Sequence, residues 1–391
     1  MHALHIYAGP VAHRHIERHG LAPSHIGVIP AAAGGPKGLI LGPLDRLIFG
    51  DWLPRATQPV DLVGASIGAW RMATACLDDP VAAFQMLEHG YIHGEMKAPP
   101  GRRLPPPAQV SATFAANLRT MFEGHVPTIL NHPRYRLHVL AARGRHILAR
   151  EGRWRTPAGY LGATLSNLAH RRALGAWIER VVFSTASGHA LAALPFDTRD
   201  YRTRQLALTA ANFYPALQAS GSIPFILQAV HDIPGAPRGA YWDGGITDYH
   251  LHLDFHRQTR SIDPDLIAEP ADGSSARAGN DSKSNTRSGA GSRLVLYPHF
   301  QQAVVPGWLD KSLKWRHRPT HFLDSMVVLA PNPAWVRTLP GGKLPDRNDF
   351  KHLGHAERVR TWSSAVAAAC QLADEFQAWL ERPDPARVQP L

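Results

Sequence analysis

The sequence predicts an α/β fold in which a mostly parallel central sheet lies between two layers of helices, a three-layer α/β/α arrangement. Short apolar runs recur along the chain, each followed by a glycine-rich turn or by apolar residues at helical spacing. The same strand–turn–helix order occurs twice in succession near the start. The chain has 391 residues, 44% of them hydrophobic, which is enough for a large buried core. We expect a single domain over residues 1–391.

The two strand–turn–helix units lie close together in the sequence. In the first, a buried strand at residues 26–30 leads through a glycine-rich turn into an amphipathic helix over residues 39–53. In the second, a strand at residues 60–63 leads through the turn 64–68 into a helix over residues 69–77. Two such units in a row favour neighbouring parallel strands with their carboxyl ends at one edge of the sheet.

Further elements follow from the rest of the chain. Five later apolar runs predict strands at residues 137–140, 181–184, 205–208, 240–242 and 294–297. Apolar residues at helical spacing predict a C-terminal helix over residues 355–381, which Pro383 ends. Residues 98–109 predict an irregular surface loop, and residues 269–292 a flexible insertion without apolar period. The motifs described below lie within residues 24–250.

Charge narrows the classes of partner. Lys and Arg number 42 against 31 Asp and Glu, a net charge of +11, which favours anionic partners. The basic residues are scattered rather than gathered in one tract, so we expect no binding of nucleic acid. One short cluster at residues 311–318 lies beside Trp308 and contains Trp315. This cluster suggests peripheral contact with an anionic membrane as a secondary hypothesis.

Cysteine content and apolar runs exclude other classes. The two cysteines, Cys76 and Cys370, support neither a disulfide framework nor a cysteine-rich zinc site. No apolar run approaches the ~18 residues that span a bilayer, and the first residues lack the pattern of a secretion signal. We therefore expect a cytoplasmic protein. No P-loop, dinucleotide fingerprint or EF-hand loop occurs, so we expect no metal and no cofactor.

A candidate nucleophile lies at the end of the second strand. Residues 64–68 read Gly-Ala-Ser-Ile-Gly, a G-x-S-x-G pattern centred on Ser66. At a strand-to-helix junction, the small residues Gly64 and Gly68 allow a tight turn that lifts the serine hydroxyl out of the sheet. The alternative is an ordinary glycine-rich turn without chemistry.

A glycine-rich loop follows the first strand. Gly34 and Gly35 lack side chains, so their peptide N–H groups can face a ligand and form an oxyanion hole. Pro36 cannot donate, and Lys37 and Gly38 complete the motif. The alternative is a helix-entry turn held for packing.

A candidate base ends a later strand. Asp243 follows a short apolar run and precedes Gly244 and Gly245, so a rigid strand holds a carboxylate that stays approachable. Taken alone, Asp-Gly-Gly is also an ordinary turn. Just upstream, residues 219–224 read Ala-Ser-Gly-Ser-Ile-Pro, which by itself indicates a turn or a helix end.

The order of these four motifs resembles the patatin-like phospholipase family. The resemblance covers residues 24 to about 250 and implies a patatin-like fold and a lipid acyl hydrolase that acts on phospholipids or other esters without a cofactor. It further implies that Ser66 and Asp243 form a catalytic dyad without histidine, that the Gly34 and Gly35 amides bind the oxyanion, and that Lys37 holds the basic position of the loop.

The chain departs from the family pattern at two places. Ala33 occupies the first position of the glycine-rich loop, where the family usually has glycine. After Gly245 the chain reads Ile-Thr-Asp-Tyr-His-Leu over residues 246–251, where the family often has asparagine and proline. An alanine at position 33 narrows the backbone options of the loop, and the second departure bears on the geometry beside the base.

Two other functions remain open from the sequence. An α/β-hydrolase esterase would use a Ser-His-Asp triad, with His352 or His355 as candidate histidine, although its serine normally follows more strands than the two that precede Ser66. A non-catalytic binder of anionic membranes would account for the net charge alone.

Overall fold

An eleven-stranded mixed sheet forms the centre of the computed structural model, which describes residues 1–95, 99, 105–187, 190–255 and 293–391. Its strands are β1 Leu4–Ala8, β2 Ile26–Ala31, β3 Val60–Ala65, β4 Tyr135–Gly144, β5 Ile178–Ser184, β8 Thr203–Ala207, β9 Val230–His231, β10 Ala240–Asp243, β11 Leu294–Pro298, β12 Met326–Pro331 and β13 Val388–Pro390. A separate hairpin pairs β6 Ala186–Ser187 with β7 Ala190–Leu191.

Helices flank this sheet, which gives the expected three-layer α/β/α arrangement. The α-helices are α1 Pro10–His19, α2 Gly42–Leu47, α3 Ile67–Thr74, α4 Pro80–His93, α5 Pro107–Phe122, α6 Val126–Leu130, α7 Arg155–Ala169, α8 Phe213–Ser220, α9 Pro333–Val336, α10 Asp349–His352 and α11 His355–Glu381. Within the described ranges we find no helix with the length and apolar character needed to cross a bilayer.

The middle of the sheet is parallel throughout. Strands β12, β11, β2, β3 and β4 lie side by side in that order and all pair in parallel. Antiparallel pairings flank this run, with β1 on β12 at one side and β5 and β10 on β4 at the other. The carboxyl ends of β11, β2 and β3 therefore meet at one edge, where parallel α/β sheets commonly bind ligands.

The long strand β4 serves two partners along one edge. Its first part pairs with β3 in parallel up to Ala65 opposite Leu140, and its last part pairs with β10, which runs the other way and ends at Asp243 opposite Ala141. Strand β5 occupies the opposite edge of β4. Strands β3 and β10 thus approach each other end to end at neighbouring positions of β4.

The described residues confirm the seven predicted strands and correct several boundaries. The predicted helix over residues 39–53 is a composite, with a 3-10 turn at Gly35–Leu41, the short α2, a π turn at Ile48–Trp52 and a last 3-10 turn at Leu53–Arg55. Helix α5 begins at Pro107, inside the segment 98–109 for which a loop is predicted, because proline fits the first turn of a helix. Residues 98 and 100–104 of that segment lie outside the described residues. The predicted insertion 269–292 lies outside the described residues. Strands β1, β9, β12 and β13 were not predicted.

Candidate active site

Ser66 sits on a strained turn between β3 and α3. Its backbone has φ 57° and ψ −128°, a conformation that is unusual for a residue with a side chain and that clusters at functional sites. A Cβ atom at Gly64 would come within 2.5 Å of the Ala69 backbone, and one at Gly68 within 1.9 Å of the Ala31 carbonyl oxygen. The glycines of the motif are therefore what allow α3 to pack against the strand ends.

A buried ion pair fixes the helix that follows the serine. Arg71 in α3 donates from Nε and Nη2 to the two carboxylate oxygens of Asp45, both at 2.7 Å. Both side chains are buried, and such a bidentate pair fixes orientation as well as distance. Helix α3 is thereby tied to α2 behind the turn.

The Ser66 hydroxyl contacts the predicted base directly. Its Oγ donates to Oδ2 of Asp243 over 2.8 Å, and Oδ1 of Asp243 accepts a hydrogen bond of 2.7 Å from the Gly245 amide. Ser66 is 4% exposed and Asp243 is 5% exposed. The two residues, far apart in the sequence, form a buried hydrogen-bonded dyad because β3 and β10 end at adjacent positions of β4.

The segment 219–224, which indicated only a turn or helix end in the sequence, braces the dyad. The Ser220 hydroxyl accepts from the Ser66 amide at 2.9 Å and donates to the Leu140 carbonyl at 2.6 Å. The carbonyl of Ser222 accepts from the Asp243 amide at 2.9 Å. The end of α8 therefore holds the backbones of both dyad residues in one network.

The two glycines after Asp243 allow close packing at the base. A Cβ at Gly244 would lie 2.2 Å from the Leu140 carbonyl oxygen, and one at Gly245 would lie 2.7 Å from the Ala33 side chain and 2.9 Å from the Asp243 carboxylate. Ala33, the residue that departs from the family pattern, thus packs directly against Gly245. The Ala33 amide donates to the Tyr249 carbonyl at 3.0 Å.

The glycine-rich loop lies beside the dyad at the end of β2. Gly35 has φ 59°, which favours glycine, and a Cβ at Gly34 would come within 2.5 Å of the Phe300 ring. Among the described residues, the amides of Gly34 and Gly35 have no hydrogen-bond acceptor. Gly38 packs against the Ile67 side chain at the start of α3. The loop therefore has amides available for an anion next to a residue that lines the pocket, Ala33.

Three cations lie at the candidate site. Arg347 and Lys311 act on the Asp243 carboxyl, whereas Lys37, which the sequence predicted, lies in the glycine-rich loop near Lys311. Lys37 Nζ lies 5.5 Å from the Phe300 ring centroid, and Lys311 Nζ lies 4.1 Å from that of Tyr249. Arg347 lines the same pocket as Asp243 and has no hydrogen-bond or ion-pair partner within the described ranges. Arg347 could not be found from the sequence because it belongs to no motif and follows Asp243 by a long stretch of chain.

Opposing effects set the charge of the base. Burial raises the pKa of Asp243, while the Arg347 guanidinium, the hydrogen bonds from Ser66 and Gly245, and Lys311 act to lower it. Desolvation, with Arg347 and Lys37 nearby, lowers the pKa of Lys311 to about 8. A buried carboxylate with a raised pKa is a stronger base, and the cations favour its ionised form.

A narrow pocket leads to Asp243. Apolar and aromatic side chains form most of its wall, and Asp243 and Arg347 are its ionisable members. Its lining residues are Ala33, Ile223, Pro224, Asp243, Gly245, Ile246, Tyr249, Trp308 and Arg347. Its free volume is about 20 Å³, enough for one water molecule. The walls must therefore separate for an acyl chain to enter.

A second serine, histidine and aspartate also meet in this fold, but in the core. His138 contacts the Ser184 hydroxyl through Nδ1 at 2.8 Å and Oδ1 of Asp61 through Nε2 at 3.1 Å. All three side chains are 0% exposed, and Gln205 donates to the same serine hydroxyl at 3.0 Å. A cluster enclosed within β3, β4 and β5 cannot reach a substrate, so we interpret it as a cross-strand brace.

The late histidines do not contact the candidate nucleophile. His352 lies at the end of α10 beside a separate pocket, and His355 accepts from Arg358 at 3.1 Å at the start of α11. The Ser66 hydroxyl is instead hydrogen-bonded to Asp243.

No family model matches the chain, and no curated protein matches it either.

Proposed function

We propose that this protein hydrolyses carboxylic esters of fatty acids, including phospholipids, through an acyl-enzyme on Ser66. The observation that carries the proposal is the 2.8 Å hydrogen bond from the Ser66 hydroxyl to the buried Asp243 carboxylate, on a strained strand-to-helix turn. A structural serine needs neither the strain nor the buried carboxylate partner. The motif order shared with patatin-like phospholipases supports the same reaction.

The first half-reaction forms the acyl-enzyme. Ser66 Oγ attacks the ester carbonyl carbon while its proton passes to Asp243, and the carbonyl oxygen becomes the oxyanion. The amides of Gly34 and Gly35, which have no acceptor among the residues that the structure describes, are the candidate donors to this oxyanion. The tetrahedral intermediate collapses with cleavage of the carbon–oxygen bond of the leaving alcohol, which takes the proton from Asp243.

The second half-reaction restores the enzyme. Asp243 takes a proton from a water molecule that attacks the acyl carbon, and the resulting intermediate expels Ser66 Oγ, which regains the proton. The fatty acid is the second product. Apolar pocket walls at Ile223, Ile246 and Trp308 favour an acyl chain over a polar substituent.

Labelling with a fluorophosphonate tests the nucleophile. We expect the wild-type protein to be modified on the peptide that contains Ser66 and to hydrolyse a short p-nitrophenyl ester. Ser66→Ala should lose both properties, and Asp243→Asn should lower kcat by about 10²–10⁴ because the serine loses its base. Ser24→Ala, at an exposed serine outside the site, is the matched control and should behave as wild type. Modification at another residue, or an unmodified wild-type protein that is folded, would contradict the proposal.

A further inference from the structure

Helix α7 exposes an apolar face to solvent. Its inward face carries Gly159, Tyr160, Ala163 and Asn167, all buried. The opposite side carries Leu161, Leu165 and Leu168, which are 62%, 59% and 52% exposed. A surface helix normally turns polar residues outward, so an apolar outer face indicates that something else covers it.

Apolar side chains of two neighbouring segments extend this face. Phe225 follows the pocket residue Pro224, has φ 68°, and its ring lies 5.8 Å from that of Tyr160 in α7. Trp315 precedes Arg316, which donates to the Leu168 carbonyl at the end of α7. We define the α7 patch as the seven side chains that are between 48% and 78% exposed here: Trp154, Leu161, Leu165, Leu168, Phe225, Ile226 and Trp315.

The elements that carry the α7 patch also contribute to the wall of the candidate active site. Tyr160 of α7 packs on Trp242, the residue before Asp243, with ring centroids 6.2 Å apart. Asn167 of α7 donates to Asp310 at 2.8 Å, two residues after the pocket residue Trp308. One small core cluster contains Tyr160 and Trp242 together with the pocket residue Ile246. The same elements therefore carry the patch and the pocket.

Basic side chains border the patch. Arg153 and Arg155 are exposed at the start of α7, and Lys314 and Arg318 are exposed on either side of Trp315 and Arg316. No acidic residue lies within residues 311–318, and Glu151, the exposed carboxylate just before the start of α7, is outnumbered by these four cations. Tryptophan beside leucine, with a rim of Lys and Arg, is the composition that partitions to the surface of an anionic bilayer.

A second copy of the chain fits this patch less well. In a two-fold dimer the same patch faces itself, so the rim cations of one copy, which outnumber the nearby carboxylate, would lie close to those of the other. An anionic lipid surface supplies the opposite charge as well as the apolar layer.

We propose that the α7 patch docks this protein on the surface of an anionic lipid bilayer, with the pocket opening toward the acyl chains. The catalytic purpose of the docking rests on the proposed function, whereas the docking itself needs no catalysis. Separation of the pocket walls at the bilayer would give a lipid access to the dyad.

Vesicle binding tests the proposal on the full chain carrying Ser66→Ala, so that no lipid is consumed. We expect sedimentation with phosphatidylcholine vesicles that contain about 30% phosphatidylserine, and weaker binding at high salt or without the anionic lipid. Adding Leu161→Gln and Leu165→Gln should lower the partition coefficient by about tenfold or more, because two side chains lose their transfer to the acyl layer. Met86→Gln changes an exposed apolar side chain on α4 and should have no effect.

Three outcomes would overturn the docking: no binding to either vesicle, equal binding after the double leucine change, or a dimer in solution that this change dissociates without any vesicle binding. In a background that retains Ser66, the double leucine variant should keep its activity on the short soluble ester and lose its activity on vesicles. The retained activity on the soluble ester also shows that the variant is folded. If the protein binds vesicles but folded wild-type protein is not labelled by a fluorophosphonate, the proposed function is refuted and the docking is left intact.

Discussion

Asp243 shows how a serine could be activated without histidine. An aspartate in water has a pKa near 4 and is a weak base toward a hydroxyl. Burial against β4 raises the pKa of Asp243, whereas Arg347 and Lys311 hold the carboxyl closer to its ionised form. Burial thereby makes the carboxylate more basic, while the two cations favour its ionised form.

Replacement of Arg347 should shift the pH dependence of catalysis. In the proposed mechanism catalysis requires ionised Asp243, so the rate should rise as pH increases through the pKa of this group. Arg347→Met removes a cation that lowers this pKa, so the acidic limb of the kcat/KM profile should move to higher pH, with a several-fold loss of activity at its low-pH end.

The matched control for this experiment is Arg337→Met, at an exposed arginine that does not line the pocket. Its profile should coincide with that of the wild type. If the acidic limb lies at the same pH in both variants, or if it moves to lower pH in the Arg347 variant, Arg347 does not lower the pKa of Asp243.

Elements place the dyad through the register of one strand. Ser66 follows Ala65, the last residue of β3, which lies opposite Leu140 of β4. Asp243 ends β10 and lies opposite Ala141, the next residue of β4. The sequence predicted both strands and both side chains, since short apolar runs and glycines mark them locally. It did not predict that β10 runs antiparallel on the same edge of β4 as β3, because pairing over a long separation leaves no local pattern.

Other parts of the fold had signals of different strength. The six-residue apolar run of β12 is as clear as that of β2, although no strand was predicted there. The role of Ser220 depends on a contact with residue 66, far away in the chain, and cannot be derived from the segment 219–224 alone. Local composition therefore predicts elements, whereas the partners of side chains depend on the assembled sheet.

Glycine 68 tests the packing of α3 on the strand ends. In Gly68→Ala the new methyl group would lie 1.9 Å from the Ala31 carbonyl oxygen, which is backbone and can move only if α3 leaves β2. We expect about 1–3 kcal/mol lower free energy of unfolding in urea and loss of ester hydrolysis. Gly90→Ala, on the exposed side of α4 with nothing within 4 Å, should raise stability by up to about 1 kcal/mol. Equal behaviour of the two variants would show that no close approach exists at residue 68.

At the scale of the whole molecule, the fold buries several histidines in their neutral form. Burial lowers the pKa of His15 and His252 to about 4, that of His299 to about 3, and that of His250 well below its usual value. His250 and His299 lie against each other, and their Nε2 atoms have no hydrogen-bond partner within the described residues. A second proton on any of these imidazole rings would create a buried positive charge. The native structure therefore resists a protonation that the unfolded chain accepts.

Stability should therefore fall as the medium becomes acidic. In the unfolded chain these histidines bind protons below about pH 6.5, whereas in the native state they do so only near pH 4 or below. Between those values the unfolded state holds more protons, so the free energy of unfolding decreases with falling pH by up to about 1.4 kcal/mol per pH unit for each histidine. Asp45 and Asp243, whose pKa values are raised, act in the opposite direction but are fewer.

Urea unfolding at about pH 7.5, 6.5 and 5.5 measures this slope of the free energy of unfolding against pH. His15→Leu removes one such histidine and should make the slope less steep, whereas His125→Gln, at an exposed position, should leave the slope unchanged. A wild-type slope of zero or of opposite sign would mean that these rings can take up protons in the native state.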